Sequence, residues 1–194
     1  METEKVIQAY LAHVPELVWE KARMIKVLIT DVDGVLTDGG IIYDDFGTEY
    51  KKYNVKDGLI VQHLRKSKIL VGAITGRDSK VVENRCEELK FDFHYHGIKD
   101  KAKKLQEILE TMEIGLEEVA YIGDDIIDLP ILVQVGLAVS PSDALPYVKS
   151  AVHYVSPFAG GKGVFRELGD ILLHSRGNLI PLIQNLSEKN HETK

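Results

Sequence analysis

From Ile25 onward, short and mainly apolar segments alternate with stretches whose apolar residues recur every three or four positions. The apolar segments are Ile25 to Thr30, Ile69 to Thr75, Val119 to Ile122 and Leu137 to Val139. Two shorter ones are the Phe91, Phe93, Tyr95 alternation and His153 to Val155. Between them the periodicity predicts helices over Asp57 to Lys66, Ser79 to Leu89, Ala102 to Met112 and Ile127 to Val133. A further helix follows the loop Gly160-Gly161-Lys162-Gly163 and runs through Leu173. Strands apolar on both faces belong in a parallel sheet covered by helices on each side. The rhythm therefore predicts an α/β fold, a doubly wound, mainly parallel, Rossmann-like sheet. Ile41 to Tyr43 and Glu49 to Tyr53 flank the turn Asp44-Asp45-Phe46-Gly47, which predicts a small β-hairpin flap. Ile7, Leu11, Val14 and Val18 predict one amphipathic helix over 5–19. The chain is thus expected to divide into a helical extension over 1–23, a main domain over 24–175, and a C-terminal helix and tail over 176–194. A solvated tail is expected from about Ser187.

Composition narrows the class. At 194 residues and 44% hydrophobic, the chain suits one domain with its own core. Thirty acidic residues outnumber 24 basic ones, for a net charge of -6. With no compensating basic stretch, this argues against a nucleic-acid partner. The single cysteine, Cys86, excludes a disulfide framework and a multi-cysteine zinc site, and it reads as a small buried hydrophobe. No apolar run approaches the roughly 20 residues that span a bilayer, and no signal-peptide pattern opens the chain. The expectation is a cytoplasmic protein without a membrane partner.

Ligands of such sheets bind beyond the carboxyl ends of the strands. The first strand ends in Asp31-Val32-Asp33-Gly34. Side chains at i and i+2 leave a strand on the same face, so two carboxylates converge and resist joint ionisation. Such a pair suits a nucleophile beside a proton donor, although Asp and Gly also make plain turns. The second strand ends in Thr75-Gly76-Arg77, a hydroxyl, an approachable backbone and a planar donor fork for an anion. A strand running into a helix N-cap gives the same pattern. Lys101 opens a Lys-rich helical turn, which by itself reads as solvated. The strand at Val119 ends in Gly123-Asp124-Asp125, with Asp128 close behind. Opposite Asp31 and Asp33, these acids form a hard-oxygen cluster suited to Mg²⁺, or else a helix cap with a first-turn acid.

Taken in chain order, Asp-x-Asp, Thr, Lys and Asp-Asp resemble the four motifs of the haloacid dehalogenase superfamily of phosphoryl-transfer enzymes. Within it, the chain resembles the small capless phosphatases that hydrolyse 3-deoxy-D-manno-octulosonate 8-phosphate. The matching stretches are Asp31 through Gly39, Asn54 through Gly58, Ile74 through Arg77, Ala120 through Asp125, Val135 through Leu137, and Gly160 through Gly163 with Arg166-Glu167. Lys56 stands where many relatives carry Arg, and the N-terminal helix is an addition. Chain arithmetic agrees with the capless type: neither the Gly40–Asn54 nor the Thr75–Lys101 interval can hold a cap domain.

The resemblance implies a Mg²⁺-dependent phosphoric monoester hydrolase of lipopolysaccharide precursor synthesis. It implies that Asp31 is the nucleophile, Asp33 the acid and base, and Thr75 and Lys101 the holders of the phosphoryl oxygens. Mg²⁺ would be held by the Asp31 and Asp124 carboxylates and the Asp33 backbone carbonyl, with Asp125 and Asp128 ordering the surroundings. Gly76, Arg77, Lys56 and Lys162 would meet the sugar acid. The resemblance also implies a homotetramer whose subunits close one another's sites. A nine-carbon 2-keto-3-deoxy sugar acid 9-phosphate is the alternative substrate, with Arg77 favouring the octulosonate. A phospho-receiver module places its phosphorylated Asp on a later strand, and no lone Asp precedes Thr75 here. A non-catalytic module on this scaffold has no need of the full motif set.

Overall fold

The structure, a computed structural model, describes residues 2–188. The chain opens with α1 (Glu2–Tyr10) and α2 (Glu16–Ala22), then enters β1 (Val27–Thr30). The hairpin β2 (Ile42–Tyr43) and β3 (Glu49–Tyr50) precedes α3 (Val55–Lys66). Next come β4 (Leu70–Ile74), α4 (Lys80–Leu89), β5 (Phe93–Tyr95), α5 (Lys101–Met112) and β6 (Val119–Ile122). A 3-10 turn over Ile126–Asp128 leads into α6 (Leu129–Leu132), followed by β7 (Leu137–Ser140), α7 (Pro146–Lys149) and β8 (Tyr154–Val155). The chain ends on α8 (Val164–Ser175) and α9 (Leu179–Glu188). Ser187 and Glu188 thus close a helix, and the rest of the expected tail lies outside the described residues.

Six strands form one parallel sheet in the order β5-β4-β1-β6-β7-β8. The doubly wound expectation holds. Strand side chains alternate between two cores: Leu28, Val71, Ala73, Ala120 and Ile122 pack beneath α2, α3 and α8, while Val27, Ile29, Ile74, Val119 and Tyr121 pack beneath α5 and α6. Each fully buried Leu or Ile contributes roughly 1.5–3 kcal/mol, so burial on both faces fixes the register of the whole sheet. Because β1 is central, the chain leaves it to one side for β4 and β5, and to the other for β6, β7 and β8. That reversal leaves a crevice at the carboxyl end of β1.

Three local differences have clear causes. The N-terminal helix breaks in two because Pro15, extended at φ -64° and ψ 151°, lacks the N–H that would continue it. Ile7, Leu11, Val14 and Val18 are nonetheless all buried. His13 Nε2 lies 2.7 Å from the buried Glu167, whose carboxylate also accepts from Tyr154 and Ser156, which ties this segment to the sheet. The helix expected from Ile127 begins instead as a 3-10 turn, since Asp128 spends its carboxylate on the backbone amides of Asp124 and Asp125. The second hairpin strand ends at Tyr50, and Tyr53 turns inward against the core. Among the described residues, no helix is long and apolar enough to cross a membrane.

Candidate active site

Beyond the ends of β1, β4 and β6 lies a cavity of about 450 Å³ lined by Asp31, Asp33, Thr75, Gly76, Arg77, Asp124 and Asp125. A larger groove of about 660 Å³ runs along α5, but none of these converging groups reaches it. Chemistry rather than size distinguishes the site.

Asp31 is buried directly after β1, its amide donating to the Ile122 carbonyl at 2.9 Å. Lys101 is 2% exposed, so it is no solvated first-turn residue. Its ammonium lies 2.9 Å from Asp31 Oδ1 and 2.7 Å from Asp128 Oδ1. Asp128 is fully occupied: Oδ1 also accepts from the Tyr121 hydroxyl at 2.7 Å, and Oδ2 from the Asp124 and Asp125 amides. It fixes Lys101, and Lys101 fixes Asp31. Thr75 is buried at the end of β4, and α4 begins only at Lys80, so Thr75 is not a helix cap. Gly34, at φ +84°, lets the loop after β1 lie against Asp124; a Cβ there would sit 2.1 Å from Asp124 Oδ2.

Carboxylate oxygens of Asp31, Asp124 and Asp128 all lie within 4.8 Å of one another, around one ammonium. Burial first, and then Asp31, Asp128 and Asp125, push the Asp124 carboxyl up to about 8. Burial also raises Asp31, to about 7, despite Lys101 pulling the other way. Burial pulls Lys101 down, but Asp31 and Asp128 outweigh it and hold the ammonium above its ordinary range. Asp124 Oδ1 is buried without a hydrogen-bond partner. Too many acids, one cation and an orphaned buried oxygen fit a divalent ion held by Asp31 and Asp124.

This crowding predicts a stability profile. Without metal, the folded chain keeps protons on Asp31 and Asp124 to about pH 7 and 8, whereas unfolded aspartates lose theirs near ~3.9. The folded state binds more protons in that window, so stability falls as pH rises from about 4 to 8 and then levels off. Thermal melts in chelator should show this fall, and a saturating divalent cation should flatten it. A flat profile in chelator would contradict the crowding.

The remaining expected residues are not all brought together. Gly76 and Arg77 line the cavity, and Arg77 lies 3.1 Å from the Tyr43 hydroxyl and 3.8 Å from Asp33. Asp125 lines it too, its Oδ1 accepting from the Ile126 amide at 2.6 Å. Lys56 is exposed on α3 and faces a separate cavity with Tyr10 and Arg166, away from Asp31 within one chain. Lys162 is exposed, although its loop is no free flap. Gly160 packs on the chain's own loop after β1, where a Cβ would meet the Gly34 carbonyl oxygen at 2.0 Å. One residue was missed outright. Lys51, on the hairpin, has no exposed side-chain surface and pairs with Asp33 and Glu49. Its i+2 spacing from Glu49 was the available signal, masked by the adjacent Lys52 and a strand of only two residues.

Residues 95–168 match the haloacid dehalogenase-like hydrolase family. The chain is 44% identical over 162 residues to the 3-deoxy-D-manno-octulosonate 8-phosphate phosphatase of Escherichia coli (strain B / BL21-DE3), covering 84% of this chain and 86% of that one. The Yersinia pestis phosphatase of the same name is 40% identical over 92% of this chain and 96% of its own. The fold superposes on the Moraxella catarrhalis phosphatase, solved with a magnesium ion, a phosphate ion and a KDO molecule, with a TM-score of 0.86 at 36% identity. That match covers 90% of this chain and 99% of the other. With its motif residues gathered at one crevice and this identity along most of its length, the chain belongs to the 3-deoxy-D-manno-octulosonate 8-phosphate phosphatase family of haloacid dehalogenase-like hydrolases.

Proposed function

We propose that the chain hydrolyses 3-deoxy-D-manno-octulosonate 8-phosphate to the free sugar acid and phosphate, a cytoplasmic step that supplies lipopolysaccharide precursors. The observation that carries this reading is the buried Asp31–Lys101–Asp128 chain, with Asp124 unpaired beside it, at the floor of an open cavity. A carboxylate held this way is a positioned nucleophile rather than a turn residue.

Asp31 attacks phosphorus in line; the bond from phosphorus to the sugar oxygen breaks, and Asp33 gives that oxygen its proton. Asp33 then takes a proton from the water that attacks the aspartyl-phosphate, which frees Asp31 and phosphate. Thr75 and Lys101 hold the phosphoryl oxygens and offset the charge spread over them. Asp31, Asp124 and the Asp33 backbone carbonyl would hold Mg²⁺, which would supply further charge neutralisation at the phosphoryl group. Asp125 and Asp128 order its surroundings. Gly76 and Arg77 meet the sugar acid from the same chain. Lys56 and Lys162 are both exposed, and Lys162 meets the sugar acid in a neighbouring subunit's site within a homotetramer.

The hairpin supports that last point. Ile42 is 61% exposed, Tyr43 56% and Phe46 95%, more apolar surface than a two-stranded ribbon carries alone in water. Sedimentation should therefore find a tetramer, and mixing Asp31→Asn with Lys162→Ala subunits should restore activity. A fully active monomer, or no recovery on verified mixing, would remove the shared site.

Phosphate release with Mg²⁺ should be fastest on the octulosonate 8-phosphate, slower on a nine-carbon 9-phosphate, and slowest on hexose phosphates. Equal turnover of hexose phosphates would overturn the substrate assignment. Preference for the nine-carbon ester would move it to the longer acid.

A further inference from the structure

Asp33 is asked to donate and accept a proton, yet its carboxylate is held by an ammonium from another segment. Lys51 leaves the hairpin with its side chain fully covered, Nζ against Asp33 Oδ1 and 3.3 Å from Glu49 Oε1. Burying an ammonium costs several kcal/mol unless it is well paired, so this placement is specified rather than incidental. Glu49 is anchored in turn: its Oε2 accepts from Ser79 Oγ at 2.8 Å, and Arg77 lies 3.6 Å from Oε1. The other Asp33 oxygen, Oδ2, is buried and accepts no hydrogen bond; the Arg77 guanidinium lies 3.8 Å from it.

We propose that Lys51 is a positioning residue for the reaction. By occupying Oδ1 it fixes the Asp33 carboxyl so that the proton resides on, leaves from and returns to Oδ2. This rests on the phosphatase reading above. A carboxyl protonated on Oδ2 still accepts from Lys51 at Oδ1, so the clamp and the acid role are compatible. In the first step the Oδ2–H bond breaks as the sugar oxygen gains its proton. In the second, Oδ2 takes a proton from the attacking water. Because Lys51 belongs to the hairpin and Glu49 ties that hairpin to Ser79 before α4, proton transfer is coupled to hairpin seating. Lys51 does not touch substrate: its side chain is covered, and both its acids belong to the chain.

The test compares Lys51→Met, Lys51→Arg and Ser79→Ala with the unmodified protein on phosphate monoesters graded from p-nitrophenyl to simple alkyl. Aryl leaving groups need little proton donation and alkyl ones need much. For Lys51→Met, kcat/KM should fall at least about tenfold more on the alkyl ester than on the aryl one. Its p-nitrophenol release should begin with a burst, since aspartyl-phosphate hydrolysis loses a positioned base. Lys51→Arg should recover part of both effects. Ser79→Ala, which loosens the hairpin that carries Lys51 without touching Asp33, should show the same alkyl-weighted loss to a smaller degree. A uniform loss in Lys51→Met with no burst would overturn the proposal and leave Lys51 a structural residue. Should Lys51→Met fail to fold, Lys51→Arg decides: its leaving-group dependence must be steeper than that of the unmodified protein, and an unchanged one overturns the proposal. The series contains no sugar acid. A protein that turns over these esters but not the octulosonate phosphate contradicts the substrate assignment, not the role of Lys51.

Discussion

Asp31→Asn should lose at least about a thousandfold in turnover while remaining folded. The amide keeps the shape of the side chain but cannot attack phosphorus. Its effect on stability is small because two changes oppose each other. The substitution removes one acid from the crowd of Asp31, Asp124 and Asp128, and it also weakens the contact with Lys101. Circular dichroism and thermal melting should match the unmodified protein to within a few degrees. Near-normal activity in this variant would require another nucleophile or direct attack by water.

Lys101→Met should damage both stability and activity. It leaves Asp31 and Asp128 buried and facing each other with no ammonium between them. Removing one partner of a buried ion pair costs about 3–5 kcal/mol. At about 2–4 °C per kcal/mol for a chain of this size, the melting midpoint should drop by roughly 10 °C. Phosphate release should also fall, since Lys101 is proposed to hold the phosphoryl oxygens and its ammonium lies against Asp31. A melting midpoint within about 2 °C of the unmodified protein would show that the pair carries little of the fold's stability. The two variants should therefore differ: Asp31→Asn loses turnover alone, whereas Lys101→Met loses turnover and melting temperature together.

The sheet and the strand-end residues were legible because burial on both faces writes an unbroken apolar run, and each run stops where the polar site begins. Asp31, Thr75 and Asp124 could be assigned to one crevice from that rule alone. What joins them could not. Asp128 lies 27 residues beyond Lys101, and nothing in a Lys-rich helical turn signals that one of its lysines is buried against two acids. Lys51 was hidden for the same reason, since its partner Asp33 is 18 residues away and the strand it follows is too short to show alternation. The break at Pro15 was written in the sequence but outvoted by a periodicity that both helices satisfy. The glycine-rich loop was visible, but its cause, the approach of Gly160 to the Gly34 carbonyl, exists only in the folded chain. Lys56 was assigned by likeness, and within one subunit it stands on another face.

On the proposed mechanism the phosphoryl group passes through Asp31. Rapid quenching of Asp33→Asn during reaction with p-nitrophenyl phosphate and Mg²⁺, followed by peptide mapping, tests it most directly. The good leaving group permits the first step without a proton donor, while the second step lacks its base. An acyl phosphate, labile to base and hydroxylamine, should accumulate on Asp31 to near one equivalent per subunit. Turnover in the unmodified protein with no phosphorylated carboxylate in either form, or with the phosphate on another residue, would contradict it.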